Sequence, residues 1–541
     1  MPTPAKTSAS PAPEAAPGGP APPTRSEEPL PTRLRQLPRS TWPLIALLVG
    51  YPVWWLVGLG VFSFVICAVP MVLVLLNRRP MHVPPGFGLW VLFLIWYVVS
   101  LSMLSENPPG AYGEFGLGRI ISVLVRLAMY LASAVIVLYI GNLSERELPR
   151  LLLVRMLGAM FVTTTFGGLL GVVFPNFTVT PLFGMLLPAR VRSDSFVQNI
   201  INPTASQIHW VGAVKAVRPE APFEWANTWG NNYSILLIWF VLGWWVYASR
   251  KRRMLGVGIF ALSLIPVVYG LNRGLWLGIG VSVLYILVRL ALRGRTMALG
   301  VGAVALVLGG TAFVMSPLYA QVETRLDNPQ SNSIRAYTRA KTIEATFNSP
   351  IIGYGNTRYA VGSDKTVVTG KTQACPQCKH PPLGSDGQLW LLLISQGFVG
   401  AGLYVLFFLN AIRRYWRDVS PIATGGVLTM MLVLYYMTIY DGLYTPLPLY
   451  LLSFAVMWRN GMDLAPPRIE PVAVRAKRAR DKALSAARTR RLLETKTRRA
   501  ALSTRTNGRP IRIGEGQRGR EGQSTREGHS ERHGGPAGGT E

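Results

Sequence analysis

Residues 42–76 read WPLIALLVGYPVWWLVGLGVFSFVICAVPMVLVLL, and Asn77-Arg78-Arg79 follow. About 35 positions pass without a charge. A helix needs roughly 20 apolar residues to cross about 30 Å of hydrocarbon, so this run is too long for one span. Gly58 and Gly60 can supply a tight reversal, and the run reads as two membrane helices. Further apolar runs begin at Leu89, Ile120, Met156, Tyr233, Leu255, Leu275, Leu389 and Val427. The expectation is an all-α polytopic membrane protein of about twelve transmembrane helices with two long outer loops.

Charge gives the orientation. Arg33, Arg35 and Arg39 precede the first run, and Arg78 and Arg79 follow the second. The short segments around Arg146, Arg150 and Arg155, the block 250–253, Arg293 with Arg295, and Arg413-Arg414 with Arg417 are also basic. Cytoplasmic loops carry an excess of Lys and Arg, so all these segments are predicted inside. Both termini are then cytoplasmic in a multi-pass protein of the plasma membrane. The expected organisation is a disordered arm over 1–40, a membrane domain over 41–458 with outer loops at about 175–229 and 317–386, and a basic, largely disordered tail over 459–541. The tail carries 20 Lys/Arg against 9 Asp/Glu. Residues 472–500 read either as a basic helix on the inner leaflet or as a solvated tail.

The chain is 50% hydrophobic with a net charge of +29. In a soluble protein that charge would suggest nucleic acid. Here it follows from the inside loops, and no nucleic-acid partner is expected; membrane lipids are. The N-terminus has no secretory signal pattern.

Outside cations run against the orientation rule and need a reason. The first long loop holds Arg190, Arg192, Lys215 and Arg218; the second holds Arg325, Arg335, Arg339, Lys341 and Arg358; Arg273 sits between two spans. Arg126 lies within an expected span, where a charge either snorkels or faces a partner or cavity. Arg289, near the inner face, reads as snorkelling. Together the outer arginines suit an anionic ligand, because a guanidinium fork bonds two oxygens of a phosphate at once. Trp210, Trp225 and Trp229 are candidates for stacking on a sugar or touching the interface.

Four segments then resemble one family. Tyr269-Gly-Leu-Asn-Arg273-Gly-Leu-Trp276-Leu-Gly278 looks like the S-R-G-x-W-L-G signature of the O-antigen ligase and polymerase superfamily, with Asn272 at the usual Ser. RAYTRAKTIEATFNSPIIGYG (335–355) is similar to the family stretch that opens with Arg and ends P-l-l-G-x-G. GSDGQLWLLLISQGFVG (384–400) looks like H-N-x-x-L-x-x-L-x-E-x-G-x-x-G, with Asp386 where the family has His. Arg218-Pro-Glu-Ala-Pro-Phe223, with Asn227 and Asn231-Asn232, resembles R-x-x-G-x-F-x-N-P-N more loosely.

The resemblance implies a metal-independent, cofactor-free, inverting glycosyltransferase at the outer face of the plasma membrane. The donor would be a polyprenyl-diphosphate-linked glycan and the acceptor a hydroxyl on a glycan or lipid. Arg218, Arg273, Arg335, Arg339 and Arg126 would bind the diphosphate and neutralise the departing charge. Asp386 would act as base in place of the family His, with His380 as the other candidate. The motifs do not separate ligase from polymerase. The alternatives are a polytopic transporter or a non-catalytic polyprenyl-lipid binder. Cys375-Pro-Gln-Cys378 can be a local disulfide, a free thiol pair or part of a metal site, although a closed zinc site needs four ligands. Cys67 reads as packing.

Overall fold

In the computed structural model the described residues are 38–112, 117–192, 195–211, 214–294, 330–360 and 382–464, with scattered positions between 297 and 311 and between 480 and 495. Residues 1–465 form one compact unit and 466–541 a second. The expected ninth span (297–316) and the Cys375–Cys378 segment lie wholly or mostly outside the described residues, as do His380 and most of the arm, the second loop and the tail.

The opening run breaks where its glycines stand. Helices α1 (Trp42–Leu48) and α2 (Tyr51–Leu56) are separated from α3 (Ser63–Leu76) by a turn in which Gly58 takes φ +84°. Tyr51 packs its ring 6.1 Å from that of Phe64 across the turn. Next come α4 (Phe87–Ser100), α5 (Leu117–Asn142) and α6 (Arg150–Val173). The segment after α6, expected as a long outer loop, forms an ordered cap. It holds short helices α7 (Leu182–Leu186), α8 (Ala189–Arg192) and α9 (Ser195–Ile201), then strands β2 (Ser206–Val211) and β3 (Val214–Pro219). These strands pair antiparallel, with Ser206 opposite Pro219. A second two-stranded ladder joins β1 (Ala111–Tyr112) to β4 (Tyr359–Ala360).

Helix α10 (Ala226–Phe240) runs into a π-helical turn over Val241–Val246. It is followed by α11 (Arg250–Tyr269), α12 (Arg273–Ala291), α13 (Gln330–Asn348), α14 (Gln388–Tyr415), α15 (Pro421–Tyr436) and α16 (Pro446–Leu464). Five of the described helices, α5, α6, α11, α12 and α14, are long and apolar enough to cross a membrane; α3, α4 and α15 are apolar but shorter. These helices fit a multi-pass α-helical membrane protein.

Packing is aromatic and close. Trp90 and Phe93 of α4 meet Tyr130 of α5 and Tyr404 of α14 at centroid distances of 4.9–6.1 Å. Between helices in lipid, such dispersion contacts hold the assembly, because lipid tails are as apolar as the side chains.

The two ends of the helix bundle differ in chemistry. At one end Arg78 pairs with Glu147, and Arg459 reaches Glu145 at 3.0 Å. There Asn460 accepts from Arg150 and donates to Ser420, and α16 continues through Leu464, beyond the expected end at 458. Arg289, expected to snorkel, instead donates to the carbonyls of Trp416 and Asp418 at 2.8 Å each and is buried. The other end carries the cap, α13 and a cavity.

Candidate active site

The turn bearing Asp386 is clamped from three sides. Leu383 N–H donates to the Arg358 carbonyl (2.7 Å), Gly384 N–H to Thr342 Oγ1 of α13 (3.0 Å), and Gln388 N–H to the Tyr440 carbonyl (2.9 Å). Residues 437–445 join α15 to α16, so the turn is referenced to two helix pairs at once.

A second device orders the segment between α13 and β4. Helix α14 is broken at Gly397 (φ 64°, ψ −169°). Ile394 O, which a continuous helix would pair with Phe398 N–H, accepts from Tyr354 N–H at 2.8 Å. Phe398 N–H donates to Pro350 O at 2.7 Å, and Gly355 N–H to Ser395 O at 2.7 Å. The Pro350–Gly355 motif thus docks backbone to backbone on the broken helix. Beyond it, Asn356 and Thr357 are delivered to the cavity.

The cavity holds about 840 Å³. Arg126, Arg335 and Asp386 line it, together with Arg119, Asn356 and Asp441. Asp386 Oδ2 is buried and has no hydrogen-bond partner among the described residues. Burial pushes the Asp386 carboxyl up to about 6, against the opposing pull of Arg335 and Arg339. These two arginines are four residues apart on α13 and therefore share a face. Arg339 also lies over the Trp390 ring at 5.5 Å. Arg126 does not snorkel: it is buried, and its Nη1 donates to Asn356 Oδ1. Burial also raises the Asp441 carboxyl, opposed by Arg126.

The remaining expected site residues divide. Arg218, on β3, donates through Nε to the Gly270 carbonyl (3.1 Å) and through Nη2 to Asn227 Oδ1 (2.7 Å). It stands behind the wall that Asn227 presents to the cavity. Arg273 opens α12 and, with Arg218 and Arg335, opposes the burial that raises the Tyr440 phenol. His380 lies outside the described residues, so the choice between it and Asp386 rests on Asp386 alone. Arg358 is structural: at 1% exposure it donates to the carbonyls of Leu104, Glu106, Tyr354, Asn356 and Thr357 and to Asn107 Oδ1. Lys341 pairs with Glu344 on the exposed side of α13.

The loose motif after Arg218 splits as well. Asn227 faces the cavity, whereas Asn231 accepts from Tyr450 and Asn232 donates to Thr445 inside the helix packing. Trp229 is buried and donates to Thr164 O (3.1 Å), which removes it from sugar stacking; Trp225 remains on the cavity wall.

Asp441, Arg119 and Asn356 were not singled out by the motifs. Asp441 had one signal, a lone acid in a short turn between apolar runs on the Asp386 side. Among the described residues there is no group of three or more His, Cys, Asp or Glu side chains placed to hold a metal ion. No protein-family model matches the chain, and no curated protein matches it.

Proposed function

We propose that the chain is a glycosyltransferase that moves a glycan from a polyprenyl-diphosphate carrier to an acceptor hydroxyl, in the manner of the O-antigen ligase and polymerase superfamily. The observation that carries this reading is the buried, unpartnered Asp386 Oδ2 in a cavity shared with Arg126 and Arg335. Asp386 takes the proton of the acceptor hydroxyl. The acceptor oxygen attacks the anomeric carbon from the face opposite the diphosphate, so configuration inverts. The bond from that carbon to the diphosphate oxygen breaks, and its electron pair leaves on the diphosphate. Arg335, Arg339 and Arg126 meet the charge that develops there, which is electrostatic transition-state stabilisation. Asp386 then passes its proton to water. In this reading twelve spans cross the plasma membrane, with the cavity end outside and both termini cytoplasmic.

The test is mass spectrometry of polyprenyl-diphosphate-linked glycans in cells lacking the protein, complemented with wild type or Asp386→Asn. Single repeat units that only wild type clears identify a polymerase; long lipid-linked chains identify a ligase. An unchanged lipid-linked pool rejects the glycosyltransferase reading.

A further inference from the structure

The end of the bundle opposite Asp386 has a cavity of its own, about 850 Å³, and the proposed transfer chemistry does not use it. Three guanidiniums line it, Arg413, Arg414 and Arg417, at the end of α14, with Asn410 one turn before and Pro85-Gly86 of the α4 entry opposite. Arg413 donates to Asn410 Oδ1 at 3.3 Å. Among the described residues none of the three arginines forms an ion pair with a carboxylate, whereas Arg78, Arg150 and Arg459 at the same end all do. The cavity therefore concentrates uncompensated positive charge in a concave site.

The helix surface leading to it is apolar. Phe398, Leu406 and Leu409 of α14 are exposed (38–51% across this face, Val399 included), and Trp416 at the cavity rim is exposed as well. Positions 399, 402, 406, 409 and 413 advance by three or four residues, so one helix stripe runs from apolar side chains to Arg413, and Arg417 follows in the turn after α14. A stripe of that kind matches a molecule with an acyl chain and an anionic head. Guanidinium forks suit phosphate oxygens, and the exposed leucines suit hydrocarbon.

We infer that the Asn410–Arg417 cavity binds the phosphate headgroup of one anionic phospholipid, whose acyl chains lie along the exposed α14 stripe.

The experiment is native mass spectrometry of the full-length protein released from nanodiscs of dioleoylphosphatidylglycerol or dioleoylphosphatidylcholine. Wild type is compared with Arg413→Gln/Arg414→Gln/Arg417→Gln. The control, Arg250→Gln/Lys251→Gln/Arg252→Gln, removes as many charges from another basic segment. Wild type and control are expected to retain one phosphatidylglycerol with at least about tenfold preference over phosphatidylcholine, and the cavity variant to lose that preference. Equal loss in both triple variants would mean that general surface charge attracts the lipid, and would overturn the site. Equal retention by all three proteins would overturn it too. If inorganic phosphate or glycerol phosphate binds as tightly as the lipid and displaces it, the cavity is a free-anion site and the phospholipid assignment fails. Arg413→Gln alone keeps two charges and supplies the same comparison if the triple variant is not recovered.

Discussion

Gly353 and Gly397 stand backbone against backbone. A Cβ on Gly353 would lie 2.6 Å from Gly397 N, and one on Gly397 would lie 2.5 Å from Ile351 O. Both residues have positive φ, 74° and 64°, so each is required twice, for conformation and for space. Gly397→Ala is expected to destabilise the protein by about 2–3 kcal/mol, the strain of a left-handed non-glycine residue plus the displaced Pro350–Gly355 segment. Thermal unfolding in detergent measures it. An unchanged midpoint would mean that the two backbones part without cost.

The Asp386 prediction concerns both rate and pH. Asp386→Asn cannot accept a proton, and glycosyl transfer is expected to fall by at least about 100-fold while donor binding persists. In wild type the rate should fall as pH drops through about 6, where the carboxyl protonates. The stability sign is opposite to that of an ion-paired acid. Burial holds the folded carboxyl up at about 6 while the unfolded one keeps its ordinary value of 3.8, so the folded state holds the extra proton between these values. Stability contributed by the protonated form is present at low pH and lost as pH rises from about 4 to 6. Asp386→Asn should therefore raise the unfolding midpoint at pH 7.5 and leave it unchanged at pH 3.5. A variant with full transfer activity would remove Asp386 from the mechanism.

Arg358 tests the distinction between binding and structural arginines. Its buried guanidinium satisfies carbonyls from the α4 exit, on half-buried or exposed residues, and from 354–357, where Tyr354 and Asn356 are buried. Arg358→Gln leaves several of these acceptors unpaired, and a loss of about 3 kcal/mol or more in unfolding free energy is expected. Arg335→Gln, which lines the cavity instead, should lower transfer with little change in unfolding midpoint. Equal unfolding midpoints for the two variants would erase the distinction.

These contrasts mark how far residue order alone could reach. The apolar runs declare themselves, because a helix in hydrocarbon must satisfy its own backbone and be clothed in apolar side chains. The break at Gly58 was legible for the same reason: a run too long for one span must turn somewhere. Asp386 is reached through the resemblance, at the place of the family His, and Arg335 as an outer-loop cation that opens a resembled stretch; the two line one cavity. Side-chain direction was not legible. Arg335 and Arg358 look alike in a string, yet one faces the cavity and the other faces carbonyls, because contacts more than 200 residues apart decide it. Asn231 and Asn232 read as motif partners of Arg218, but the turn of α10 carries them into the packing. The segment 175–229 reads only as a long outer loop because its short helices and hairpin are fixed by contacts such as Ser206 Oγ to the Gly171 carbonyl (2.7 Å), not by local periodicity.

Asn272 explains one departure from the resembled motif. Its Oδ1 accepts from Leu275 N–H at 3.0 Å, which caps α12, and also from the Tyr440 hydroxyl. Serine would cap the helix but is too short to hold Tyr440 as well. Asn272→Ser is expected to cost less than about 1 kcal/mol in stability, and Asn272→Ala more, because only the latter loses the cap. If the transfer rate falls equally in both variants while stability differs, the contact to Tyr440 rather than the cap supports the cavity wall.

Orientation is tested with single cysteines in a background lacking Cys67, Cys375 and Cys378. Ser385 is exposed beside the candidate base, and Arg417 is exposed at the opposite, basic end. With the basic end inside, a membrane-impermeant maleimide should label Ser385→Cys in intact cells and label Arg417→Cys only after lysis. The reverse pattern would place the cavity in the cytoplasm, where a donor displayed on the outer leaflet never arrives, and would reject the outer-face reaction. Labelling of both sites in intact cells would mean that they share one side, and the path from Gln388 to Tyr415 would not cross the membrane.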